Sequence, residues 1–176
     1  MILPPLSEWE SFYVITGSSA AALTGLQFVV IALMADTQAR GESTALRAFG
    51  TPTVVHFCAV LLLAGFMTTP GQSTGSLRAC FLAEGIAGLA YVASVMRHTR
   101  RQTSYTPVFE DWLWHGILPA VAYLAILISA VVLRAAPNDA LYTAEGTALL
   151  LLFTGIHNAW DSAVWMATSR SKPEAS

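Results

Sequence analysis

Apolar residues fall into five long runs separated by short polar stretches. The runs cover residues 12–34, 51–69, 79–96, 112–133 and 144–167. Each is close to the ~20 residues that an α-helix needs to cross the hydrocarbon core of a bilayer. Of all the Asp, Glu, Lys and Arg residues, only Glu84, Glu145 and Asp161 lie inside a run. The pattern predicts an all-α integral membrane protein, a five-helix transmembrane bundle. Prolines mark the boundaries. Pro4 and Pro5 precede the first run, Pro52 opens the second and Pro70 closes it. A proline at a helix start costs little, because its missing N–H is unused there. Pro107 and Pro137 fall in loops, whereas Pro119 lies inside the fourth run. The connections at 35–50, 70–78, 97–111 and 134–143 are too short to fold alone. Residues 1–176 are therefore expected to form a single transmembrane domain, with no internal repeat or low-complexity tract. No basic residue precedes the first run, which argues against a secretory signal peptide.

Composition agrees with this reading and excludes other classes. The chain is 55% hydrophobic and 11% charged, with a mean hydropathy of +0.56. An ordinary soluble domain is about 25% charged. Disorder needs low hydrophobicity and high charge. Two cysteines cannot build a disulfide scaffold. A net charge of −2 offers no basic patch for nucleic acid. Cys58 and Cys80 are expected at depths differing by more than about 10 Å, given the rise per residue. That is too far for a disulfide, so two free thiols are expected.

The basic residues set an orientation. With five spans, Arg40, Arg47, Arg97, Arg100, Arg101, Arg170 and Lys172 share one side, against Arg78 and Arg134 on the other. Lys and Arg prefer the cytoplasmic side, so the N-terminus is expected outside and the C-terminus inside. Trp9, Tyr13 and Tyr142 then fall at the outer interface, and Trp112, Trp114 and Trp165 at the inner one. Glu110 and Asp111 open the fourth helix, where carboxylates complement the helix dipole. Glu145 is expected at the headgroups.

Polar residues inside spans are costly and are candidate functional residues. Measured from the inner ends, His115 lies at about 5 Å, His56 and Asp161 at about 9 Å, Gln27 at about 12 Å and His157 at about 15 Å. Glu84 is deeper, at about 20 Å, and stands apart as a secondary intramembrane acid. In the fifth run, Thr154, His157, Asn158, Asp161 and Trp165 share one helical face, opposite Leu149, Leu152 and Phe153. His157 and Asp161 are spaced i, i+4 and can touch. In the fourth run, Asp111, His115, Pro119 and Tyr123 form a stripe. Pro119 cannot bond the carbonyl of His115, so the helix is expected to break there. In the first, Thr16, Ala20, Thr24 and Gln27 share a side, and Gly17, Ala21 and Gly25 form a small-xxx-small series suited to close packing. The third aligns Glu84, Gly88 and Tyr91.

Three readings of the inner cluster are open. Gln27, His56, His115, Thr154, His157, Asn158 and Asp161 line a site that binds or conducts a proton, ion or small solute. Alternatively, His56, His115, His157 and Asp161 hold a transition metal or haem in a membrane redox protein, although their spacing matches no metal motif. In the third, they lock together a non-catalytic partner of another membrane protein. Enzymatic chemistry has little support, because Ser18, Ser19 and Ser162 lack a G-x-S-x-G context. The site reading is the leading expectation. Five helices enclose little volume, so a transport path implies a homo-oligomer in the bilayer.

Several strings carry a resemblance. They are Ser7-Glu-Trp9-Glu-Ser-Phe-Tyr13, Ala22-Leu-Thr-Gly-Leu-Gln27-Phe-Val-Val, Phe49-Gly-Thr-Pro-Thr-Val-Val-His56-Phe, Glu110-Asp-Trp-Leu-Trp-His115 and Gly155-Ile-His-Asn-Ala-Trp-Asp161. They resemble a family of small bacterial multi-pass membrane proteins without known function. The resemblance implies a bacterial inner-membrane location and a multi-helix fold. It implies no activity, ligand or residue role.

Overall fold

The computed structural model describes residues 5–35, 43–101 and 109–169, with side chains at 5–32, 51–100, 109–110 and 112–164. A 3₁₀ turn (Leu6–Glu8) leads into α1 (Glu10–Ala35). Next come α2 (Ser43–Thr68) and α3 (Thr74–Arg101). The short α4 (Phe109–Trp112) passes through a π-helical turn (Leu113–Ile117) into α5 (Leu118–Val132), and α6 (Pro137–Ser169) follows. Among the described residues there is no strand. The fold class is all-α.

Among the described residues, four segments are long and apolar enough to cross a membrane: Glu10–Ala32, Thr51–Thr68, Thr74–Arg100 and Leu113–Val132. Their outward faces carry Val14, Ile15, Leu26, Phe28, Val29, Leu61, Ile86, Val121 and Ile128. Such faces suit lipid, and the chain is a membrane protein by this criterion. The longest helix, α6 at 33 residues, is not among the four. Glu145, Thr154, His157, Asn158 and Asp161 dilute its apolar run.

α1 packs on α2, α2 on α6, α6 on α5, and α5 on α3, with a narrower contact between α2 and α3. Ala140, Leu141, Ala144, Ala148 and Leu151 give α6 a fully buried face. On α1, Tyr13, Thr16, Gly17, Ala20 and Gln27 are buried. A methyl group on Gly17 would stand 2.7 Å from the Cβ of Ala64. Only this member of the Gly17–Ala21–Gly25 series makes a close approach. Ala21 is exposed, and Gly25 has nothing within 4 Å. Steps of four residues drift around a helix by about 40° each, whereas steps of seven drift by about 20°. The contact stripe Tyr13–Ala20–Gln27 follows the slower drift.

Three expected boundaries move, one of them at Pro137, which opens α6 instead of lying in a loop. Pro52 lies inside α2 rather than at its start. Ala45-Leu-Arg-Ala48 is strongly helix-favouring, and the proline removes only the bond to the Ala48 carbonyl. α3 starts at Thr74, ahead of its apolar run, because Ser73 and Ser76 cap it reciprocally. Each hydroxyl accepts from the other's backbone N–H at 3.0 Å. Gly71, at φ 69°, makes the preceding turn in the left-handed region that favours glycine.

Candidate functional site

The buried polar residues lie mainly where α2, α5 and α6 meet. His56 on α2 is 1% exposed. Its Nδ1 stands 3.1 Å from the hydroxyl of Tyr123 on α5. Tyr123 is itself buried. Its ring lies across Gly88 of α3, where any Cβ would overlap it. One turn earlier, a Cβ on Gly85 would come within 3.1 Å of the Tyr123 carbonyl. Two glycines thus let α5 approach α3 and seat the tyrosine, whose hydroxyl then reaches across to α2.

The third wall is α6. Phe57, next to His56, packs its ring on Gly155, where a Cβ would overlap it. That contact brings Thr154 and Asn158 to the level of His56. Both are buried. Thr154 donates to the Leu150 carbonyl at 2.7 Å. Gln27 of α1 is buried as well. Several buried atoms have no hydrogen-bond partner among the described residues: Nε2 of His56, both amide atoms of Asn158, the Tyr13 hydroxyl and both oxygens of Glu84. Buried polar groups are normally paired, and each such exception calls for an explanation. In a hydrocarbon surround, each unsatisfied group costs several kcal/mol.

The remaining expected residues lie beside this level, His157 between Thr154 and Asn158 on α6 and Asp161 one turn further on. His157 Nε2 lies 2.9 Å from the Asp161 carboxylate. This is ion-pair distance without hydrogen-bond geometry, since the same nitrogen makes no hydrogen bond. Trp114, in the π-helical turn, stacks on the His157 ring at 3.6 Å and 19°. His115 in the same turn is half-buried. The Asp161 side chain is 51% exposed, so it lies outside the bundle interior.

The single α6 face expected from the sequence therefore divides. Thr154 and Asn158 point inward, and Asp161 points outward. On the opposite side, Phe153 is exposed but Leu152 is buried. The Trp165 side chain lies outside the described residues. Among the described residues, no three of the His, Cys, Asp and Glu side chains stand together as a metal-holding group. The expected set of His56, His115, His157 and Asp161 is thus not one first shell. His56 lies on α2, His115 in the π-helical turn, and His157 and Asp161 on α6, where the last two pair with each other; His115 is within electrostatic reach of His56. Cys58 and Cys80 are free thiols.

Tyr123 stands on the polar stripe of the fourth run but is not counted among the expected site residues. Its signal was present: it continues the Asp111–His115–Pro119 stripe at four-residue spacing. The break expected at Pro119 takes the form of the π-helical turn just before it. Such turns are frequent at functional sites.

The fold and the interior define a class, an all-α helical membrane protein with buried, partly unpaired polar side chains. No protein-family model, curated protein or solved structure matches the chain.

Proposed function

We propose that this is a five-span protein of the bacterial inner membrane, N-terminus outside and C-terminus inside, that passes protons through its polar interior. One observation carries the reading. Buried His56 has one ring nitrogen on Tyr123 and the other without a hydrogen-bond partner among the described residues. A neutral imidazole can accept a proton at one nitrogen and release one from the other. Buried polar atoms kept only for structure are normally paired. Asn158 and Gln27 supply further polar walls, and the His157–Asp161 pair forms the exit at the inner rim. The small volume enclosed by five helices favours a homo-oligomer as the conducting form.

The test is proton flux in proteoliposomes, driven by a potassium diffusion potential and read by a trapped pH-sensitive dye. Wild-type vesicles should acidify or alkalinise faster than empty ones. His56→Asn keeps a polar atom near the position of Nδ1 and removes the titratable ring. It should bring flux to the empty-vesicle level while the protein still elutes as a folded species. Wild-type vesicles no faster than empty ones would sink the reading.

A further inference from the structure

The proton path proposed above leaves Glu84 unused. Glu84 is 6% exposed, and neither carboxyl oxygen has a hydrogen-bond partner among the described residues. The basic residue nearest to it along α3 is turned elsewhere. Arg78 Nε donates to the Ala130 carbonyl of α5 at 3.1 Å. The elements packed against α3 are α5, α2 and the π-helical turn. Their described titratable side chains are Tyr123 on α5, His56 and Cys58 on α2, and His115 on the turn. None is a lysine or an arginine. Glu84 is also within electrostatic reach of the Tyr13 and Tyr123 hydroxyls, and Glu145 of α6 is within reach of Tyr13.

Two features set this place apart from ordinary core packing. A carboxylate in hydrocarbon with no counter-cation is costly, so the group is favoured as a neutral acid. A neutral acid kept only for structure is hydrogen-bonded, because burying an unpaired polar group costs stability. Here the acid and the buried Tyr13 hydroxyl both lack a hydrogen-bond partner among the described residues. They lie in the halves of α3 and α1 nearest the helix starts, away from His157 and Asp161. An arrangement that leaves the carboxyl oxygens open suits a group that exchanges its proton.

We propose that Glu84 is an exchangeable proton-binding site, in the opposite half of the bundle from His157 and Asp161. Resting on the proton-path reading, it serves as a second station of that path. The proton is taken up by a carboxylate oxygen to give the acid and is given up again from the same oxygen. No other bond changes.

A hydrophobic carbodiimide tests this directly, because it adds covalently to protonated carboxyls that it reaches through lipid. The full chain in liposomes is treated across a pH series, and each carboxyl is read by peptide mass spectrometry. Glu84 should be labelled while the exposed Glu10 and Asp161 are not. Its labelled fraction should fall as pH rises, because the acid form is lost, and should be unchanged by excess sodium at fixed pH. Glu84→Gln should remove that label alone. Absence of label on Glu84 at every pH overturns the proposal. So does protection by sodium, which would make the site one for a metal cation. Flux separates the two ideas. If His56→Asn abolishes flux and Glu84→Gln does not, the path stands and Glu84 is no station on it. If wild-type vesicles carry no flux, the path falls and the labelling still decides whether Glu84 binds a proton.

Discussion

Tyr123 is fixed by two neighbours of opposite kinds. Gly88 makes room for its ring, and His56 takes its hydroxyl. Separate substitutions can remove each one. Gly88→Ala puts a methyl group into the ring, and over-packing of this sort costs about 1–3 kcal/mol. Gly25→Ala, where nothing lies within 4 Å, should instead be neutral or stabilise by up to about 1 kcal/mol through helix propensity. Thermal unfolding in detergent checks both, and the two midpoints should move apart. Tyr123→Phe keeps the ring and strands both nitrogens of His56. Leaving a buried polar group without its partner costs about 1–3 kcal/mol, so stability should fall by about that much while flux falls to background. The sequence pattern favours Gly25, a member of the small-xxx-small series, for close packing, and the structure gives that role to Gly88 instead. What differs is which side chain arrives from another helix, and periodicity carries no such information. The polarity of His56 was plain in the sequence; its partner was not.

Among the elements, the segment from α4 to α5 shows how far a local rule reaches. The sequence marks Pro119 as a break, because the His115 carbonyl loses its donor. It does not say how the backbone relaxes. The chain widens into a π-helical turn over Leu113–Ile117, with Gly116 beside Met96 of α3 at 3.2 Å from where a Cβ would stand. The widened turn brings Trp114 onto His157. Pro119→Ala returns the missing donor and should let the turn tighten to α-helix. Losing one residue of register rotates everything before it by about 100°. Trp114 should then leave His157, and the His157 ring-proton resonances should lose the upfield shift that a stacked indole imposes. Unchanged resonances would mean that packing of Gly116 against Met96, rather than the proline, holds the turn open. A similar limit explains the shifted start of α3. The Ser73–Ser76 cap lies outside the apolar run, and a search for membrane spans does not register it. Ser73→Ala should cost about 1 kcal/mol, read again by thermal unfolding.

For the molecule as a whole, the number of crossings turns on α6. Four spans were plain in the sequence because charge is so strongly segregated from their apolar runs. The helix packing order was not, because α3 lies chiefly on α5 rather than on its chain neighbour α2. By composition alone α6 falls short of a span. Its placement argues otherwise. Near its start, Tyr142 meets Trp9 at a ring-centroid distance of 4.7 Å. Further along, His157 meets Trp114 at 3.6 Å. Trp9 leads into α1 and Trp114 lies at the start of the fourth rod, so α6 runs from one end of the bundle towards the other. It lies between α2 and α5, both of them apolar enough to span. On the proposed five-span reading, a helix held in that position would cross with its neighbours, with Thr154 and Asn158 buried inside the bundle. The expected outcome is therefore five crossings, with the two termini on opposite sides. A fluorescent protein fused at the C-terminus should mature inside the cell, and alkaline phosphatase fused there should be inactive. At the N-terminus, an epitope tag should be cut by protease added to intact spheroplasts. Termini on the same side would leave α6 uncrossed, and His157 and Asp161 could not then form the inner mouth of a path. The topology assay thus constrains the site as strongly as any substitution within it.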